Sequence, residues 1–399
     1  MKILLLANKL PFPPRDGGSI ATLQMLLGLQ QTGNELCCLA MNTHKHSFPM
    51  KKIPAHLSSK IRFLGVDLDT RIRPLPLIIN LLFSKKPYIA QRFNKPAFRR
   101  TLRRLLQEET FDIIQLEGPY LASYLSDIRR NSTARVSLRA HNLEYLIWQR
   151  MASNQISPLK KWYLSLLSRR LKKYELNLAS QVDCLVPISK QDELYFRKEE
   201  VDTPMLTIAT GLNLDEYPMR KDASFSTLFF IGALDWLPNQ EGLTWFLDRV
   251  FNQLIKEAPG IHLHVAGRNA PAGFLGKLEH PHITFHGEVE DAREFMQAYG
   301  IMVAPLFSGS GIRIKILEAM ALGLPVVTTS TGIEGIPASH LPSVMVSDQA
   351  QEYKELLLKL ITHPKEAGPG VEKGRELISR EFNILELSKR LLTFYQAQA

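Results

Sequence analysis

A small-residue loop, Ser308-Gly309-Ser310-Gly311, lies between an apolar run ending at Pro305 and a helix-forming stretch carrying Arg313, Lys315 and Glu318. Such a loop, followed at once by a helix, presents free backbone N–H groups and the positive end of a helix dipole, which together make an anion site. The pattern predicts a helix over 311–322 with Arg313 and Lys315 in its first turn. Cations there oppose the dipole, so a bound anion accounts for them; the plainer alternative is a glycine turn with two solvated basic residues. Glu318 follows three residues after Lys315. Its carboxylate can accept hydrogen bonds from both hydroxyls of a ribose. It can equally form an i, i+3 ion pair with Lys315, worth a few tenths of a kcal/mol.

The first half offers a second set of candidates. Gly17 and Gly18 lie in Pro14-Arg15-Asp16-Gly17-Gly18-Ser19, between an apolar run (Ile3 to Ala7) and an apolar-periodic segment. Paired glycines permit close backbone approach and positive φ, and ligands of open α/β sheets bind at the carboxyl ends of strands. His141 and Asn142 follow the strand Ala134 to Ala140, with Glu144 just beyond. Glu117 ends the strand-like FDIIQL-E. Glu117, His141, Asn142 and Glu144 read as cleft groups; Glu144 could equally cap or pair on a following helix. Arg268, after the strand-ending Gly267, is either a cleft cation or a surface arginine.

The elements that must position these groups alternate. Strands are predicted at the amino terminus, Glu35 to Met41, Phe111 to Leu116, Ala134 to Ala140 and Val182 to Pro187, with a helix over Ile20 to Gln31 and Ser189 placed to cap another. The pattern restarts with strands at Ser226 to Ile231, Ile261 to Ala266, Ile283 to His286, Ile301 to Pro305 and Pro325 to Thr329. Helices are expected over Asn239 to Ala258 and Asp291 to Ala298. Alternation of this kind argues parallel α/β sheets. The expected domains are 1–206 and 207–383, followed by a last helix, 384–399, that need not belong to the second sheet.

The string Glu318-Ala319-Met320-Ala321-Leu322-Gly323-Leu324-Pro325-Val326-Val327, read with the two-half layout, resembles the family-4 retaining glycosyltransferases of the GT-B fold (glycosyl transferases group 1). The resemblance implies two Rossmann-like doubly wound domains facing a central cleft. It implies transfer of a sugar from a nucleoside-diphosphate sugar to a glycan or lipid-linked acceptor, with configuration retained and without a metal or other cofactor. The setting it implies is bacterial cell-surface polysaccharide or glycoconjugate synthesis. Glu318 would contact the ribose, and the amides of Gly309, Ser310 and Gly311 the diphosphate. Gly17 and Gly18 would approach the donor phosphate and sugar. His141 would sit beside the reacting carbon, orienting and supporting an oxocarbenium-like transition state. Gly232, Gly287 and Val289 match loops beside the nucleotide, and Glu334 a loop that closes over ribose and phosphates.

Two departures stand out. Ser310 occupies the place of the first acid in the family's Glu-x7-Glu and brings no charge. The family's G-R-x-x-x-x-K-G is absent after Gly232, so Arg313 and Lys315 are expected to supply that charge. A branch carrying G-x-x-W-x-P-N and G-x-R-x-K-x-L-E-A is similar: the second string matches 311–319, and the first resembles Gly232-x-x-x-Trp236-x-Pro238-Asn239, with one residue more here. A non-catalytic sugar-nucleotide-binding subunit and a sugar-nucleotide epimerase on the same fold are the alternatives.

Composition bounds the rest. The chain has 399 residues, 49 Lys+Arg, 39 Asp+Glu and 3 Cys, for a net charge of +10. Three cysteines without a C-x-x-C pair exclude a disulfide scaffold and a thiol zinc site. Asp67-Leu68-Asp69 is a short carboxylate pair that could hold a metal. Ile3 to Ala7 is too short for a signal core, so a cytoplasmic location is expected. From Arg71 to Arg104 there are ten Lys/Arg and no acid. Lys160-Lys161, Arg169-Arg170 and Lys172-Lys173 add to them. With Leu75 to Phe83 interleaved, this suits a peripheral position on the inner face of an anionic membrane; solvated helix faces are the alternative. No helix-turn-helix, zinc-finger or RNA-recognition signature accompanies the charge, so nucleic acid is not expected as a partner.

Overall fold

The first strand, β1 (Lys2–Ala7), is apolar from Ile3 onward and buried over those positions, as a central parallel strand covered on both faces must be. The computed structural model describes residues 1–14, 16–153, 155–220, 227–309, 311–338 and 341–398, with backbone alone for 365–367. Ser226 and Ser310 lie outside the described residues. Two compact units result: Met1–Gly211 with Ile384–Ala399, and Leu212–Asn383.

The first unit is built on β1, β2 (Glu35–Thr43), β3 (Arg62–Leu68), β4 (Ile113–Glu117), β5 (Arg135–Ala140) and β6 (Cys184–Pro187). They form one parallel sheet in the order β3-β2-β1-β4-β5-β6. The second unit uses β7 (Thr227–Ile231), β8 (His262–Ala266), β9 (Ile283–Gly287), β10 (Ile301–Ala304), β11 (Val326–Thr328) and β12 (Val344–Val346). Their order is β12-β11-β10-β7-β8-β9. Both are doubly wound sheets, as the alternation of strands and helices predicted. In each, the winding reverses between the first and fourth strands, which opens a crevice at their carboxyl ends.

Helix ends follow local chemistry. Asp16 caps the helix Gly17–Gln31 by accepting from the Ser19 amide at 2.9 Å. Ser189 caps Lys190–Lys198 in the same way. The helix Ile384–Ala397 packs against Gly17–Gln31 within the first unit. Their approach requires Gly28, where a Cβ would stand 2.3 Å from Ser388 Oγ.

Several boundaries differ from the sequence reading. The first unit runs past 206 because the Leu206 and Ile208 amides bond Leu185 O and Pro187 O, at 3.1 and 2.9 Å, extending the sheet beside β6. The helix predicted over 311–322 spans Ile314–Ala321. Gly311 has φ 81, a left-handed conformation that cannot begin a helix, and Arg313 is the N-cap. The expected 239–258 helix starts at Leu237 and passes through a π-helical stretch, Phe246–Phe251. β3 and β12 were not foreseen. β3 is a half-exposed edge strand containing Gly65 and Asp67, and β12 has three residues.

Candidate functional site

In the first unit the carboxyl ends of β4 and β5 carry a buried polar network. Parallel central strands are normally apolar throughout, but Gln115 and Glu117 in β4 alternate with Ile114 and Leu116 and so share a face. Ser137 and Arg139 do the same along β5, and His141 follows directly after it. Glu117 Oε2 lies 2.6 Å from His141 Nε2 and accepts from Thr22 Oγ1 at 2.8 Å. Gln115 Nε2 donates to the other oxygen. Arg139, fully buried, stands 3.6 Å from Glu117 and donates to Ala21 O at 3.0 Å. Burial alone would raise the Glu117 carboxyl. The facing His141 and Arg139, with hydrogen bonds from His141 and Gln115, outweigh it and hold it at about 2. The result is a fixed anion whose work is to orient the His141 ring, which remains 15% exposed.

That exposed edge faces a cavity of about 580 Å³ at the crevice beyond β1 and β4. Gly18, Thr22, Glu117, His141, Asn142 and Glu144 contribute to its wall, as do Lys9 and Arg92. Lys9 pairs with the capping Asp16. At Gly18 a Cβ would stand 3.1 Å from Lys9 Nζ, the tip of a flexible side chain. Gly17 is an exposed first helical residue beside it. Glu144 accepts from Tyr120 Oη at 2.7 Å, and burial raises its carboxyl. Behind it Glu175 accepts from the Glu144 and Tyr145 amides at 2.8 Å each, so it caps the helix Glu144–Ser153 from a neighbouring helix. Burial, with Glu144 beside it, pushes the Glu175 carboxyl up to about 8.

In the second unit three adjacent strands end in glycine. The Gly232 amide bonds Ala266 O at 3.0 Å, and the Gly267 amide bonds Gly287 O at 2.8 Å. A Cβ on Gly267 would stand 2.1 Å from Gly232 O. Gly287 has φ 67 and leads to the half-buried Val289. At the switch point Gly242 lets its helix touch the end of β10, where a Cβ would stand 1.7 Å from Pro305 O.

Above these strand ends lies a charged group. Glu318 is 5% exposed and accepts from Tyr217 Oη at 2.9 Å. Its other oxygen is buried and has no hydrogen-bond partner among the described residues, and neither has Nε of Arg268. Burial lowers the Lys315 ammonium to about 8; Glu318 opposes the shift and Arg268 adds to it. Burial likewise raises the Glu318 carboxyl, with Lys315 opposing. Two cations and a half-satisfied carboxylate are thus gathered where a strand-loop-helix turn presents its backbone. Such an arrangement can take an anion together with a hydroxyl donor.

Arg313 differs from its expected role. Its guanidinium turns back on its own loop, bonding Gly311 O at 3.0 Å and standing 6.0 Å from the Trp236 ring. Gly309 has φ 103, and a Cβ there would meet Arg313 Nη2 at 3.0 Å and the Trp236 ring at 3.1 Å. Arg313 therefore braces the glycine loop. Glu334 is half-buried in the turn after β11, and Ser310 lies outside the described residues. The carboxylates of Asp67 and Asp69 are taken by neighbours: Asn42 at 2.6 Å, and Arg71 and Arg73 at 3.0 and 2.9 Å. Among the described residues no group of His, Cys, Asp or Glu is arranged to hold a metal ion.

The basic segment is divided as well. Arg99 and Arg103 are spent on Asp127, whose side chain is 1% exposed, and Lys172 pairs with Glu199 at 2.8 Å. These pairs tie elements of the first unit together, although Arg103 and Lys172 remain partly exposed. Sequence reasoning missed Thr22, Gln115, Arg139 and Tyr217. The period-two polar positions of β4 and β5 were a usable signal for Gln115 and Arg139. No local pattern marks Tyr217, 101 positions from Glu318.

The family described as Glycosyl transferases group 1 matches residues 226–363. An uncharacterized 44.6 kDa protein in the cps region of Klebsiella pneumoniae is 23% identical over 365 residues, 87% of each chain. Among solved structures, HepE of Anabaena in complex with UDP superposes with a TM-score of 0.69 at 13% identity, covering 100% of both chains. Sucrose-phosphate synthase of Thermosynechococcus elongatus gives 0.71 at 16% identity, covering 100% of this chain and 99% of that one. The fold is therefore that of the GT-B glycosyltransferases, and the match to Glycosyl transferases group 1 lies within its second unit.

Proposed function

We propose that the protein is a configuration-retaining glycosyltransferase that moves a hexosyl group from a nucleoside-diphosphate sugar to a glycan or lipid-linked acceptor, without a metal. The setting is the synthesis of bacterial cell-surface polysaccharide or glycoconjugate at the cytoplasmic membrane face. The observation that carries this reading is the group Glu318, Lys315 and Arg268 at the strand ends of the second unit. It matches the needs of a nucleoside diphosphate: a buried acceptor for ribose hydroxyls and cations for the phosphates. The match of 226–363 to Glycosyl transferases group 1 supports it. So does the likeness of fold to HepE, which was solved with UDP and with UDP-glucose.

In this reading Glu318 accepts from the ribose. Lys315, Arg268 and the amides of the 309–311 loop stabilise the departing diphosphate, where preorganised donors lower the barrier most. Arg313 keeps that loop in shape. His141, held by Glu117, supports the developing positive charge at the sugar carbon, and the cavity wall of Asn142 and Glu144 receives the acceptor. The test is to incubate the protein with nucleotide sugars of different bases, with and without EDTA. Donor turnover by one of them that survives EDTA is expected, with the anomeric configuration of the product read by NMR. Turnover that EDTA abolishes, or a product of inverted configuration, contradicts the mechanism. Binding without turnover of any donor contradicts the activity.

A further inference from the structure

The helix Pro74–Phe83 is built inside out. Its apolar residues Leu75, Ile78, Ile79, Leu82 and Phe83 recur at i, i+3, i+4, i+7 and i+8, the spacing of a core-facing stripe. Yet that stripe faces away from the protein, with exposures from 50% at Ile79 to 83% at Phe83. The buried position is the polar one. Asn80 is 5% exposed, and its amide donates to Lys86 O at 3.0 Å and to the Gln91 side chain. Arg170, from the helix Pro158–Ala179, bonds the carbonyls of Asn80 and Leu81 at 3.3 and 3.0 Å. The helix is therefore anchored through polar groups, with its apolar face left to the outside.

The surroundings say what that face meets. Tyr88 Oη accepts from the Arg73 amide at 3.1 Å, and Tyr163 of the 158–179 helix lies close enough to feel Tyr88 and Arg170 electrostatically. The two helices are thus linked through Arg170. The second brings exposed Leu159 and Trp162, next to Lys160 and Lys161. Arg71, Arg73, Lys85 and Lys86 flank the first, and all are exposed. Asp69, beside the first helix, is paired to both arginines. No Asp or Glu occurs from 70 to 107 or from 145 to 174. A second copy of the chain would set one basic rim against another. An anionic lipid surface complements the rim, accepts the stripe among its acyl chains, and suits a tryptophan beside lysines at the interface.

We propose that the 74–83 helix is a bilayer-inserting element: its outward stripe enters the interfacial layer of an anionic membrane, and Lys85, Lys86, Lys160 and Lys161 engage the headgroups. The proposal deepens the membrane-face location given above and rests on that location, not on the transfer chemistry. No helix among the described residues is long and apolar enough to cross a membrane, so insertion is lateral.

The test is sedimentation of the full chain with vesicles of phosphatidylcholine plus phosphatidylglycerol, and of phosphatidylcholine alone, in the absence of nucleotide. The expected result is binding to the anionic vesicles only, with a blue shift of tryptophan emission that Trp162→Phe removes. Lys85→Glu/Lys86→Glu should weaken binding roughly tenfold or more. Leu75→Glu/Ile79→Glu/Phe83→Glu should abolish it with a cooperative thermal transition retained, since these side chains are half or more exposed. Three results overturn the proposal: no sedimentation with either vesicle, equal binding by the triple variant, or self-association of the wild type that the triple variant disperses. The last would make the stripe a contact between copies. Nucleoside diphosphate binding by the same preparations keeps the two readings apart. Its persistence without vesicle binding sinks this proposal alone, and its absence with vesicle binding intact sinks the donor site alone.

Discussion

Tyr395 and Gln115, 280 positions apart in the chain, are joined by a 2.6 Å hydrogen bond that ties the last helix to the floor of the Glu117–His141 pair. The Tyr395 hydroxyl also bonds Ser137 Oγ, at 2.9 Å. Gln115 passes the constraint on by donating to Glu117. The helix that closes the chain is thus part of the support for the His141 ring.

Tyr395→Phe removes that hydroxyl and leaves two buried partners short of a bond. A loss of about 1–3 kcal/mol is expected, from the desolvation left uncompensated. Urea unfolding measures it as a lower midpoint at an unchanged slope.

Glu117→Gln keeps the shape of the side chain and deletes its charge. Arg139 is then buried without a counter-ion, which costs about 3–5 kcal/mol. The depressed Glu117 carboxyl adds a pH signature. Its stabilisation is present above the unfolded value of 4.5 and is lost as pH falls through about 2. The gap between wild type and variant should therefore narrow below pH 4.5, as followed by denaturation at several acidic pH values.

Glu175 behaves in the opposite sense. Its carboxyl is raised to about 8 from 4.5, so its contribution is present below 4.5 and lost as pH rises through about 8. Within that window the wild type should lose up to about 1.4 kcal/mol per pH unit relative to Glu175→Gln. Thermal unfolding of both proteins from pH 5 to pH 8 reads the divergence; parallel curves would contradict the burial argument.

Lys315 should make nucleoside diphosphate affinity fall at alkaline pH. The free protein loses this proton near 8, and a bound diphosphate holds it on. Affinity is then level between neutrality and about 8, and drops by up to about tenfold per unit above. Calorimetric titration should show that slope, and Lys315→Met should bind weakly and without it.

Which features were legible follows from how local their causes are. The buried strands β1, β7 and β10 show in short apolar runs, and the glycines at 232, 267 and 287 show where strands end. β3 was hidden because an edge strand half in water has no such run. Glu117 and His141 could be flagged from strand-end position. Their joining needed the register of β4 against β5, and the support from Tyr395 needed the packing of a helix from the far end of the chain. The composition of Arg313 and Lys315 suggested two equal cations. The helix boundary separates them: Arg313, the extended N-cap, turns onto the loop, and Lys315, inside the first turn, is left with Arg268 and Glu318.

The central claim is that the second unit binds a nucleoside diphosphate through Glu318. A thermal-shift titration of the wild type and Glu318→Ala with UDP, GDP, ADP, dTDP and CMP tests it directly. One diphosphate, at about 100 times its dissociation constant, should stabilise the wild type by about 2.7 kcal/mol. Glu318→Ala should lose that shift while retaining a cooperative transition. Stabilisation of the variant equal to that of the wild type, or no stabilisation of the wild type by any diphosphate, contradicts the account.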